Sequence, residues 1–146
     1  MLRTLSAIVA IAFVVAGCGE SVNNMSLQTP PPAAPGPTKE WMVFFDTNST
    51  ALSQQANSTV GEASTVAKSM PNSKVIVTGF TDTDGSPGYN KALSVRRANA
   101  VKTALERVGV APQAISVSGD GEQGLLVQTG DQVKNPNNRR VRIVVQ

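Results

Sequence analysis

The chain has 146 residues, 40% of them apolar and 16% charged, with 13 basic and 10 acidic side chains. That is a globular composition with room for one domain and appendages, and its charge is too even for an electrostatic nucleic-acid binder, so no nucleic-acid partner is expected. With no histidine and a single cysteine, Cys18, Ser-His-Asp and Cys-His catalysis, histidine metal sites and internal disulfides are excluded together, and neither a metal nor a cofactor is expected.

Residues 1–17 read as a signal segment. Arg3 precedes an apolar run from Leu5 to Ala16, too short to cross a bilayer comfortably but suited to a signal h-region. The run closes on Val15-Ala16-Gly17-Cys18, which resembles the lipobox of bacterial lipoproteins. The resemblance implies cleavage before Cys18, lipidation of its thiol and a membrane contact through that N-terminal lipid. Gly19 follows in place of the aspartate that retains such proteins in the inner membrane, which implies the outer membrane. Without Arg3 the basic count falls from 13 to 12, against 10 acidic.

Residues 18–39 then form a tether. Pro30, Pro31, Pro32, Pro35 and Pro37 crowd this stretch, which favours extended polyproline II and packs no core. Fully extended, such a spacer reaches roughly 65 Å at about 3.1 Å per residue.

A domain spans residues 40–146. Trp41 to Phe45 reads as a strand that stops at Asp46-Thr47-Asn48. Ser53 is a candidate N-cap for a helix in which Leu52, Ala56, Val60, Ala63, Ala67 and Met70 recur at helical spacing. Pro71-Asn72 stops it. Lys74 to Phe80 is apolar enough for a central strand. Ser86-Pro87 marks a second helix start and Gly109 its end. Ile115 to Ser118 and Val141 to Val145 supply two more strands. The order β-α-β-α-β-loop-β gives an α+β domain of two layers, with a mixed sheet and helices on one face.

The second helix carries an anomaly. Leu93, Val101 and Leu105 form its core stripe, and Arg97 falls on the same row. A guanidinium there stays charged and needs a partner. Helical side chains lean toward the N-terminus, so Arg97 reaches back toward Asp82 and Asp84 in the preceding loop. Two readings stand: a structural Asp82–Arg97 salt bridge, or a pocket in which the carboxylate holds an ammonium and the guanidinium a carboxylate. An EF-hand is excluded, because placing Gly85 sixth puts Phe80 first and Lys91 twelfth, where acidic ligands are required.

An ordered set of motifs runs through the domain: Phe45-Asp46-Thr47-Asn48, the segment from Gly79 to Gly85, the segment from Asn90 to Ala98, Gly119-Asp120-Gly121-Glu122 and Asn138-Arg139-Arg140-Val141. Together they resemble the OmpA-like peptidoglycan-binding domain. The resemblance implies non-covalent binding of the diaminopimelate residue of the peptidoglycan stem. It makes Asp82 and Arg97 the ligand's two charge partners, with Asn48, Asn90 and Arg139 lining the site, and it favours the pocket over the salt bridge. Thr83 and Gly85 then shape the loop through backbone contacts, and the strand register decides whether Arg140 takes part. Phe80 stands where the family often has histidine and is expected to pack. A scaffold lipoprotein contacting other envelope proteins is the reading from another class. A carboxylate-based wall hydrolase would need two carboxyls flanking a cleft, which Asp82 and Asp84, two apart on one loop, do not supply.

Overall fold

A computed structural model describes residues 37–146. The signal segment 1–17, Cys18 and the tether to residue 36 lie outside the described residues. The elements are β1 (Lys39–Phe44), α1 (Gln54–Ser69), β2 (Val75–Phe80), α2 (Pro87–Arg107), a short 3-10 turn (Pro112–Ala114), β3 (Ile115–Gly121) and β4 (Arg140–Val145). The expected order of strands and helices is observed. The 3-10 turn, with its proline in the first turn, was not anticipated.

Both helix starts follow from their caps. The Ser53 side chain accepts from the Ala56 N–H at 3.1 Å, and the Ser86 side chain from the Tyr89 N–H, with Pro87 opening α2. At the other end of α2, Gly109 turns with φ 94°, a conformation that costs glycine nothing. No helix among the described residues is long and apolar enough to cross a membrane.

The sheet runs β1-β4-β2-β3. β4 lies antiparallel to both β1 and β2, while β2 and β3 are parallel, so the sheet is mixed. Side chains alternate across it. Val43, Val75, Val77, Ile115, Val141, Ile143 and Val145 turn to one face and are buried with Ala56, Val60 and Ala63 of α1 and Ala98, Val101 and Leu105 of α2. One core therefore sits between the sheet and its two helices. Burying each of the larger aliphatic side chains contributes about 1.5–3 kcal/mol.

Two glycines on adjacent strands set the height of α2. Gly79 and Gly119 are register partners. A Cβ on Gly79 would stand 2.0 Å from the Ser94 carbonyl oxygen, and one on Gly119 would stand 2.5 Å from both Ser94 Oγ and the Val95 nitrogen. The helix backbone thus rests directly in this notch. Ser94 Oγ fastens it by accepting from the Gly121 N–H at 2.9 Å while donating to the Lys91 carbonyl at 2.7 Å. One turn further along α2 comes Arg97, over the end of β2.

Candidate functional site

Arg97 is fully buried, and its partners are backbone carbonyls. Nε donates to Ser49 at 2.9 Å, one Nη to Phe80 at 3.2 Å and the other to Asp46 at 2.9 Å, with the Phe45 ring 5.4 Å away. The helix thereby clamps the β1–α1 connection to the end of β2. Three of the five guanidinium N–H groups are used, and two remain. Burial lowers the pKa from the usual guanidinium range to about 10, opposed chiefly by the charge of Asp82. The group is still a cation at neutral pH, and its desolvation favours an anionic partner.

Asp82 is also buried, but its ion partner is Arg139. Arg139 Nη1 donates to Asp82 Oδ2 at 3.1 Å, and the Asn135 N–H donates to the same oxygen at 3.1 Å. Among the described residues no hydrogen bond reaches Asp82 Oδ1, and no ion pair joins Asp82 to Arg97. The structural salt bridge considered from the sequence is therefore replaced by a different one. Each charge is fixed by its own neighbours and keeps capacity in reserve.

Both residues line a common space. A cleft of about 340 Å³ is lined by Thr47, Asn48, Asp82, Asp84, Gly85, Tyr89, Asn90, Leu93, Arg97, Gln132 and Lys134, a size suited to a small ligand. Asn48 is held at φ 58° and accepts a hydrogen bond from the Tyr89 hydroxyl. Asn90, buried at the start of α2, donates to the Asp82 carbonyl and to Glu122 Oε2, each at 3.3 Å. Lys134 and Asp84 pair at 3.7 Å on the exposed rim.

Of the five residues expected to bind a ligand, Asn48, Asp82, Asn90 and Arg97 line this cleft. Arg139 is not among its lining residues and donates to Asp82 and to the Phe45 carbonyl, each at 3.1 Å. Arg140 faces the opposite side of the sheet, where its guanidinium lies 4.1 Å over the Phe80 ring and donates to the Gly124 carbonyl at 2.9 Å. Phe80 does pack, as its side chain requires.

Three further roles were not read from the sequence. The Thr83 hydroxyl donates to the Gly130 carbonyl at 2.6 Å and accepts from the Val133 N–H at 3.1 Å, so Thr83 shapes the wall through its side chain as well as its backbone. The buried amide of Asn138 makes two 2.8 Å bonds to the backbone of Val127, and Gln132 bonds both backbone groups of Gly85. These bonds fold the connection between β3 and β4 against the cleft. Its many polar residues were the only sequence signal.

This α+β module therefore carries a buried carboxylate and a buried guanidinium on one cleft. The chain belongs to the OmpA family, whose model matches residues 44–139. It is similar to an outer membrane protein of Gluconacetobacter diazotrophicus, 40% identical over 118 residues that make up 77% of this chain and 31% of that protein. It is also similar to the peptidoglycan-associated lipoprotein of Legionella pneumophila, 32% identical over 75% of this chain and 62% of that one. The chain thus spans less than two thirds of either relative. Among solved structures, the peptidoglycan-associated lipoprotein from Burkholderia pseudomallei superimposes with a TM-score of 0.66 at 30% identity, covering 72% of this chain and 89% of that one.

Proposed function

We propose that this protein binds peptidoglycan without covalent chemistry, gripping the diaminopimelate residue of an uncrosslinked stem peptide. The observation that carries the reading is the pairing of reserves in one cleft. Asp82 and Arg97 both line it, and among the described residues Asp82 Oδ1 and two N–H groups of Arg97 carry no hydrogen bond, which leaves an acceptor for an ammonium and donors for a carboxylate unused. The far end of diaminopimelate carries both groups on one carbon. Asn48 and Asn90 add neutral polar contacts at the walls. Each charge is preorganised by protein bonds, which limits the reorganisation that binding costs.

The names of similar proteins support the same reading: a peptidoglycan-associated lipoprotein and an outer membrane protein. With Cys18 lipidated and residues 18–39 as a spacer, the domain anchors the outer membrane to the wall from the periplasmic side. The domain works as a binding module and not as a hydrolase, since Asp82 and Asp84 are each already paired with a cation.

The test is co-sedimentation of the protein with isolated sacculi, beside titration with free meso-diaminopimelate. Binding that Asp82→Ala abolishes while the fold persists is the expected result. Equal sedimentation of the variant and the parent would remove the cleft from the mechanism.

A further inference from the structure

A second cavity of about 290 Å³ lies against the first. It is lined by Phe44, Phe45, Asp46, Ala51, Ser53, Pro136, Asn137 and Arg139. Two residues tie it to the cleft. Arg139 lines it while donating to Asp82 Oδ2, and Asp46 lines it while its carbonyl accepts from Arg97. The next residues after Asp46, Thr47 and Asn48, already belong to the cleft.

The chemistry of this cavity differs from that of its neighbour. Apolar side chains, Phe44, Phe45, Ala51 and Pro136, make up half of its lining, and polar ones the other half. Arg139 uses its Nε on the Phe45 carbonyl and one Nη1 hydrogen on Asp82, so three of its five donors remain. Its side chain is mostly buried, so a bond to an anion here is little screened by solvent. The exposed carboxylate of Asp46 offers an acceptor for an amide N–H. A short apolar residue that ends in a free carboxylate fits such a cavity.

We propose that this cavity is a second subsite, which takes the D-alanine that follows diaminopimelate in an uncrosslinked tetrapeptide stem. The methyl group packs on Ala51 and Pro136, and the terminal carboxylate meets Arg139. The proposal rests on the cleft holding diaminopimelate. It makes Arg139 a hinge of recognition, one face of the guanidinium orienting Asp82 and the other reading the end of the stem. The site then reports that the stem terminates at that alanine.

The experiment titrates the full chain with three probes: free meso-diaminopimelate, a muramyl-tetrapeptide ending in D-alanine, and the same tetrapeptide ending in D-alaninamide. The amide keeps the shape, removes the charge and turns one acceptor oxygen into an N–H donor. We expect the free acid to bind roughly tenfold more tightly than the amide, the range of one charge-assisted hydrogen bond. Ala51→Phe, which fills the cavity without touching Asp82 or Arg97, should erase that ratio and leave diaminopimelate binding as it was. Equal binding of acid and amide by the parent protein overturns the subsite, and so does a ratio that survives Ala51→Phe. If free diaminopimelate itself does not bind, the cleft reading falls and the subsite with it.

Discussion

Asp82 lines the cleft and is held by Arg139 through a 3.1 Å bond to one carboxylate oxygen, while its other oxygen carries no hydrogen bond among the described residues. This arrangement separates orientation from recognition. Arg139 and the Asn135 N–H fix the plane of the carboxylate, and the free oxygen is the one left for the proposed ligand. Asp82→Asn keeps the shape and removes the charge. We expect it to weaken binding to sacculi at least about tenfold, since bonds to charged groups are worth about 1.5–3 kcal/mol. Its unfolding curve should shift little beside that of Asp82→Ala, and titration with meso-diaminopimelate followed by thermal unfolding measures both.

Arg97→Ala acts differently. In this variant the carbonyls of Asp46, Ser49 and Phe80 all lose their donor and a fully buried side chain is deleted. We expect a loss of at least about 3 kcal/mol in urea unfolding. An unfolding midpoint like that of the parent would show that water replaces the guanidinium at little cost.

Gly79→Ala tests the notch beneath α2. The added methyl meets helix backbone at 2.0 Å, so the helix itself must rise. Overpacking of this kind costs about 1–3 kcal/mol or more. Since α2 carries both Asn90 and Arg97, ligand affinity should fall together with stability. Gly61, where nothing lies within 4 Å of an added Cβ, is the control, and Gly61→Ala in mid-helix should stabilise the protein by about 0.5–1 kcal/mol.

Ser86→Ala removes the cap of α2. The expected loss is about 1 kcal/mol, near 4 °C in Tm for a domain of this size. Calorimetry of the variant checks it, and Ser86→Asp, which retains a capping oxygen, should recover most of the shift.

Local signals were legible in the sequence and distant ones were not. Ser53, Ser86, Pro87 and Gly109 act within one turn of themselves, so their roles could be read directly. The stripe of α2 placed Arg97 on the core side, and the following expectation, that it reaches toward Asp82, is right in direction. What Arg97 grips is set by Asp46 and Ser49, about fifty residues away in the chain, and no local rule names such partners. The same holds for Arg140 on Phe80, and for Asn138 holding Val127. The connection between β3 and β4 takes its path from Thr83, Gln132 and Asn138 and not from any periodicity of its own. The central position of β4 is likewise a product of the whole fold, since sequence order alone would place a last strand at an edge as readily as in the middle.

That position carries a cost in time. Among the described residues β4 alone is bonded to both β1 and β2, although most of the domain separates it from β1 along the chain. Without β4 the sheet is two halves with no seam between them. Contacts this remote in sequence form slowly because the loop must close first, so the sheet gains its rigidity late in folding.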